Sequence, residues 1–233
     1  MTKRRQLFAL GGGGFSATPG ELRIDTFALK ACGLDTPNIC FLPTASGDSD
    51  AEIDAFYNAF GERSNTDVSH VQLFRRGRRD ISKQIGAADI LYVGGGNPAN
   101  LLALWRLHGV DEMVCDAHRA GAMVVGVSAG AACLFDGYLT DSFGPPLRPL
   151  EDGLGLVEGT FCPHYGSRRR ARYHEAVAAG FAAGYGVDSG AALHFVDGEL
   201  DAVLSIDDGA TAYRVHKTAQ VEEETLLASF LEA

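Results

Sequence analysis

The chain has no apolar run approaching the ~20 residues that cross a bilayer as a helix, no C-x-x-C pair, and a shortage of positive charge, with 20 Lys+Arg against 30 Asp+Glu in 233 residues. Each shortage excludes something. Without the apolar run there is no membrane-spanning helix to expect. A formal net charge of -10 argues against nucleic acid or an anionic membrane as the main partner, because both require a positive surface. The five cysteines, Cys32, Cys40, Cys115, Cys133 and Cys162, form an odd set without metal-ligand spacing. They read as thiols in a reducing, cytoplasmic compartment rather than as disulfides or a metal site. The basic start "MTKRRQLFAL" carries an apolar piece too short for a secretion signal, whose apolar region runs ~7–15 residues. It reads as a first strand.

At 46% hydrophobic and 21% charged, the chain is long enough and apolar enough to bury a full core. Short apolar runs alternate with amphipathic stretches. "QLFALG", "NICFLPTAS", "DVSHVQLF", "DILYVGGGN" and "AMVVGVS" read as strands. "ELRIDTFALKACG", "DSDAEIDAFYNAFGER", "DISKQIGAA", "PANLLALWRLHG", "VDEMVCDAHRAG" and "AGAACLF" read as helices between or after them. This alternation predicts an α/β fold: a three-layer, doubly wound, mostly parallel sheet with helices on both faces. No linker or repeat interrupts it, so residues 1–233 are expected to form one domain. After Phe135 the rhythm breaks. "DGYLTDSFGPPLRPLEDGLGLVEG" is expected to be mostly loop, "RRRARYHEAVAAGF" a helix, and "GAALHFVDGELDAVLSI" with "GATAYRVHK" a closing antiparallel set.

Four small-residue loops, "GGGG" (11–14), "PTAS" (43–46), "GGGN" (94–97) and "GVSAG" (126–130), fall at strand carboxyl ends, where ligands bind in such sheets. G-x-S-x-G between an apolar strand and a helix is the setting in which a tight turn displays a serine hydroxyl. That makes Ser128 a candidate nucleophile and the Ala129 N–H a natural oxyanion donor. Such a serine needs a base, and His164 in "FCPHYG" stands out because Pro163 delivers it in a fixed direction. His70, His108, His118 and His216 lie on ordinary elements; His174 and His194 remain open as alternatives, although they sit inside regular structure. Gly96 offers a second oxyanion N–H, and Asn97 beside it is a candidate substrate contact. "GGGGFSA" fits a loose G-x-G-x-x-A pattern at Gly12, Gly14 and Ala17, but the acid expected at the end of the second strand is missing, which argues against a dinucleotide.

"ILYVGGGNPANLL", "GVSAGAACLF" and "FCPHY", in this order and spacing, resemble the peptidase E family of serine dipeptidases. These cleave dipeptides with an N-terminal aspartate and are similar to cyanophycinase. The resemblance runs from the first strand to "GAALHFVDGELDAV". It implies the class I glutamine amidotransferase-like fold, Asp-X dipeptides as substrates, and no metal or organic cofactor; a homodimer is compatible with it. It makes Ser128 the nucleophile, His164 the general base, and the Gly96 and Ala129 amides the oxyanion hole. An arginine on the helix after the histidine holds the substrate carboxylate in the family. Arg170 fits that place best, with Arg168 and Arg169 left as a solvated basic helix start. Asp141 matches an aspartate that either orders the active-site loops or binds the substrate amine.

The third relay member departs from the family. Relatives carry Glu or Asp where this chain has Ser189, with Asp188 one place earlier. Ser189, Asp188 and Asp141 therefore compete for the place beside the imidazole. Alternating strand side chains tell against Asp188. Two further readings stay open: a cyanophycinase-like or β-aspartyl peptide hydrolase using the same machinery, and a catalytically weakened aspartyl-peptide-binding protein.

Overall fold

Strands form where short β-branched and aromatic runs are closed by glycine or a helix cap. The computed structural model describes residues 4–232 apart from 16, 19, 62–65, 76, 78 and 79. The first half follows the expected alternation: β1 (Gln6–Leu10), α1 (Arg23–Cys32), β2 (Asn38–Leu42), α2 (Asp50–Phe56), β3 (Asp67–His70), α3 (Ile81–Gly86), β4 (Ile90–Val93), α4 (Pro98–His108), α5 (Val110–Arg119) and β5 (Met123–Val127). Local chemistry sets the boundaries. Gly33 closes α1 in the left-handed conformation. The Asp80 carboxylate caps α3, and Asn97 caps α4 with Pro98 following. A π-helical turn, Tyr57–Gly61, extends α2; Glu62 and Arg63, expected to complete that helix, lie outside the described residues.

These five strands are parallel, in the order β1-β5-β4-β2-β3. Antiparallel β10 (Ala191–Val196) and β11 (Glu199–Ser205) continue the sheet beyond β1, and the short β14 (Ser229–Phe230) ends it. Side chains alternate between the faces. Phe8, Leu10, Phe41 and Tyr92 join Ile24 of α1 and Phe56 of α2 on one side. Leu7, Ala9, Leu42 and Val93 join Trp105 of α4 and Val114 of α5 on the other. The fold is α/β, with helices on both faces of a mostly parallel sheet. Among the described residues no helix is long and apolar enough to cross a membrane.

The second half corrects the expectation of loop. After the short α6 (Ala129–Ala132), the Gly- and Pro-rich stretch contributes β6 (Phe135–Thr140), β7 (Arg148–Leu150) and the start of β8 (Val157–Pro163). With β9 (Gly184–Val187), β12 (Ala212–Lys217) and β13 (Val221–Leu226) they build a second sheet, ordered β7-β6-β8-β9-β12-β13. β12 therefore leaves the antiparallel set expected with β10 and β11. The reason is packing. Phe135, Tyr138, Phe161 and Tyr185 bury their rings in the same apolar cluster as α4 and α5. The outer face is covered by α7 (Ser167–Ala178), whose Tyr173 and Val177 pack on Leu139, Cys162 and Val215.

The carboxyl ends of β1, β5, β8 and β9 are stitched together by backbone bonds. His164 N–H donates to the Gly11 carbonyl (2.9 Å), Gly190 N–H to that of Gly12 (3.0 Å), and Ser128 N–H to that of Leu10 (2.9 Å). Two sheets thus converge on one point, and the candidate residues stand there.

Candidate active site

The turn carrying Ser128 is crowded by design of its neighbours. A β-carbon on Gly126 would lie 2.7 Å from Ala131 backbone atoms, and one on Gly130 would lie 2.2 Å from the Val93 carbonyl oxygen. Only hydrogen fits at either place, so the spacing G-x-S-x-G is a packing requirement here. Ser128 itself sits at φ 52, ψ -107, a region that a non-glycine residue occupies only under strain. The result is a hydroxyl held at the top of β5, 2.8 Å from His164 Nε2. The "GGGN" loop lies against the same turn: a β-carbon on Gly95 would touch Ser128 Cβ at 3.6 Å. The Asn97 N–H donates to the Ala45 carbonyl (2.8 Å), so the "PTAS" loop braces "GGGN" from behind.

His164 also has positive φ, 51°. Its ring continues the chain of bonds: Nδ1 is 2.8 Å from Ser189 Oγ. With Nδ1–H donating to Ser189, the Nε2 lone pair faces the Ser128 hydroxyl. Burial pushes the imidazole below its ordinary pKa, the Arg169 guanidinium pushes the same way, and Asp141 opposes them. The ring is therefore neutral at pH 7, the state a general base needs. Ser189, rather than Asp188, faces the imidazole. The Asp188 carboxylate accepts the Thr211 N–H (3.2 Å) instead, and burial lifts its pKa. Gly12 makes the His164–Ser189 contact possible: a β-carbon there would stand 2.6 Å from His164 Nδ1 and 2.9 Å from Ser189 Oγ. Small size under the relay, not a dinucleotide loop, accounts for this glycine.

Arg170, the arginine expected to hold the substrate carboxylate, has partners within the protein. Arg170 donates from Nε to Glu223 Oε2 (3.0 Å) and from Nη2 to Glu223 Oε1, and it stacks 4.8 Å from the Tyr213 ring centroid. It is thus engaged by Glu223 and Tyr213. Arg169 is the cation that acts on the imidazole; its Nη2 pairs with Asp141 Oδ2 at 3.0 Å. Consecutive helix positions point ~100° apart, as 3.6 residues per turn requires, so a run of arginines cannot announce which one faces the site. Asn97 uses both ends of its amide within the protein: Oδ1 accepts the Asn100 N–H (2.9 Å) and Nδ2 donates to the Ser142 carbonyl (3.2 Å). It fastens the loop bearing Asp141 to the "GGGN" loop.

Glu223 had no signal in the sequence, since one acid in "VEEETLL" looks like its neighbours. Besides Arg170 it accepts from the Tyr165 hydroxyl (2.8 Å) and lies 2.8 Å from His174 Nε2, with its side chain only 11% exposed. Burial alone would push Glu223 up, but the bonds from Tyr165, His174 and Arg170 outweigh it and hold the carboxyl below the usual range. A depressed acid stabilises the fold above its unfolded pKa of about 4.3 and loses that contribution as pH falls through the folded value. Glu223→Gln is expected to lower stability by about 2 kcal/mol near neutrality. The gap should close below about pH 4, read as wild-type and variant melts across pH.

Three further histidines have structural partners: His70 with the Tyr57 hydroxyl (2.9 Å), His118 with the Ala122 carbonyl (3.2 Å), and His194 stacked on Phe8 and bonded to Gln6 (2.9 Å). Burial raises the thiols of Cys40 to about 11 and Cys162 to about 12, which keeps both protonated and inert. Among the described residues no group of three or more His, Cys, Asp or Glu is placed to hold a metal ion.

Fold and site together are those of a hydrolytic enzyme with its reactive groups on the loops of an α/β scaffold. Comparison with known proteins specifies the class further. The chain belongs to peptidase family S51, whose profile matches residues 7–203, and it is a peptidase of the peptidase E group. It is 43% identical over 224 residues to the uncharacterized peptidase YgaJ of Bacillus subtilis (strain 168), covering 93% of this chain and 96% of that protein. Over 87 residues, 37% of this chain and 36% of its partner, it is 33% identical to peptidase E of Streptomyces coelicolor. The crystal structure of a peptidase from an acI-B1 Actinobacterium superposes with a TM-score of 0.71 at 19% identity, covering 97% of this chain and 96% of that one; at that identity the likeness is one of fold.

Proposed function

We propose that this peptidase hydrolyses dipeptides with an N-terminal aspartate through an acyl-enzyme on Ser128. Ser128 Oγ attacks the peptide carbonyl while Nε2 of His164 takes its proton. The imidazolium is held through Nδ1–H by Ser189 Oγ. The N–H groups of Gly96 and Ala129 receive the developing oxyanion. The imidazolium then protonates the leaving amine, and a water molecule, activated by the same ring, releases aspartate. Arg169 receives the substrate's side-chain carboxylate, since planar guanidinium and carboxylate match in two parallel bonds. Arg169 already pairs with the Asp141 carboxylate, whereas Arg170 is taken by Glu223.

The observation carrying this reading is the unbroken Ser128–His164–Ser189 chain, with both contacts at 2.8 Å. The test is release of leucine from Asp-Leu by the wild type and by Ser128→Ala; equal rates would remove Ser128 from the reaction. Ser189→Ala tests the third member. It is expected to lower kcat/KM by roughly ten- to a hundredfold. That is less than the ~10⁴-fold lost when a buried triad carboxylate is neutralised, because a hydroxyl orients the imidazole without adding charge. An unchanged rate in Ser189→Ala would leave orientation of His164 to its backbone alone.

A further inference from the structure

Resting on that reading, we propose that Phe143 is a specificity-determining contact for the residue after the aspartate: its ring packs against an apolar leaving side chain and favours Asp-Leu over Asp-Gly. The effect falls on formation of the acyl-enzyme, because the leaving residue has departed before water enters.

A single exposed apolar side chain is ordinary on a protein surface; position and rigidity set this one apart. Phe143 is 60% exposed. β6 and β8 run parallel with Tyr138 opposite Phe161, and both end two residues later, at Thr140 and Pro163. The loops that follow, one carrying Phe143 and the other His164, therefore leave side by side, ~5 Å apart at their start. The Asp141–Gly144 turn is also tied to the oxyanion side. Asn97 Nδ2, next to Gly96, donates to the Ser142 carbonyl (3.2 Å), and the Ala99 N–H donates to Ser142 Oγ (3.4 Å). The turn itself is stiff. Gly144 N–H donates to the Asp141 carbonyl (2.8 Å), Ser142 N–H donates to Thr140 Oγ1 (3.0 Å), and Arg169 pairs with Asp141 (3.0 Å). The turn bearing Phe143 thus bridges the base and an oxyanion donor. On the proposed mechanism the scissile oxygen lies at the Gly96 amide and the leaving nitrogen takes its proton from His164, so the leaving residue departs from between those two groups. The other large exposed apolar side chains among the described residues stand elsewhere. Leu34 follows α1 and Leu107 ends α4, helices that carry the chain back from the carboxyl ends of the strands, while Phe74, Leu227 and Phe230 lie at the two edges of the first sheet. An aromatic ring on a turn already fixed by hydrogen bonds offers contact area at little ordering cost.

The test compares kcat/KM for Asp-Leu, Asp-Phe and Asp-Gly in the wild type, Phe143→Ala and Phe143→Leu. The wild type is expected to favour Asp-Leu and Asp-Phe over Asp-Gly by roughly five- to twentyfold, since one open ring face reads an apolar side chain less sharply than a closed pocket does. Phe143→Ala is expected to lower kcat/KM for Asp-Leu and Asp-Phe and to bring the preference within about twofold, while Phe143→Leu keeps most of it. The melting temperature of both variants should match the wild type, because the ring is largely in solvent. A wild type that cleaves all three dipeptides with equal kcat/KM would overturn this inference and spare the proposed function. So would a Phe143→Ala that lowers kcat/KM for Asp-Gly as much as for Asp-Leu; a change in sedimentation mass alongside it would assign the ring to a contact between two copies of the chain. Failure of the wild type to hydrolyse any of the three would overturn both.

Discussion

Ser128→Ala is expected to lower kcat/KM for Asp-Leu by roughly 10⁴-fold or more while the protein stays folded. The two halves of that expectation rest on different atoms. Activity depends on Oγ, the atom 2.8 Å from His164 Nε2; without it the ring has no hydroxyl to deprotonate, and the oxyanion donors act on a carbonyl that nothing attacks. The fold depends on the backbone, which alanine leaves alone. The Ser128 amide still donates to the Leu10 carbonyl, and its carbonyl still accepts from Ala132. Alanine bears the same left-handed strain as serine, so near-ultraviolet circular dichroism and the melting temperature should match the wild type. A fluorophosphonate should label the wild type at Ser128 and fail on the variant. The wild-type acid limb of kcat/KM should fall below the ordinary histidine value of about 6.5, because burial and Arg169 both disfavour the charged ring. Residual activity within tenfold of wild type would assign the attack to another group.

The half of the fold that alternates strand and helix was legible because each apolar run is closed locally, by Gly33, Asp80 or the Asn97–Pro98 cap. The second sheet was not, because its strands find partners far along the chain: β8 pairs with β6 and β9, and β9 with β12. Proline and glycine in "GPPLRP" announce turns correctly, yet Arg148–Leu150 is still a strand because Tyr138, Leu139 and Thr140 accept it as a neighbour. Within the site, Ser128 and His164 were readable from the turns that display them, and Ser189 from its place before Gly190. Arg169 was hidden by flanking arginines, as Glu223 was by flanking acids. Which member of a charged run points inward depends on the docking of α7 onto the second sheet and on the pairing of β13 at its edge, and the helix is seated by Tyr173, Val177 and Val215, residues that carry no chemistry.

Gly12 ties the relay to a backbone position that favours glycine. Gly12→Ala is expected to lower kcat/KM for Asp-Leu by roughly 100-fold or more, the effect of displacing a reacting group by about 1 Å, together with a loss of stability, because φ at this position is 158°. A β-carbon at this position would stand 2.4 Å from His164 Cε1, 2.6 Å from Nδ1 and 2.9 Å from Ser189 Oγ, all side-chain atoms at the site's surface. Rotation of the imidazole relieves the clash but not the backbone strain at φ 158°. The same rotation breaks both 2.8 Å bonds of the relay, so the chemistry is lost beyond what the stability change explains. The neighbouring glycine supplies the control. At Gly11 a β-carbon meets the carbonyl oxygens of Val187 and Asp188 at 2.3 and 2.4 Å, backbone atoms that cannot swing aside, and Gly11→Ala should lose stability and activity together. If Gly12→Ala instead kept wild-type turnover in a folded protein, the imidazole would be working from a position other than the one that joins Ser128 to Ser189.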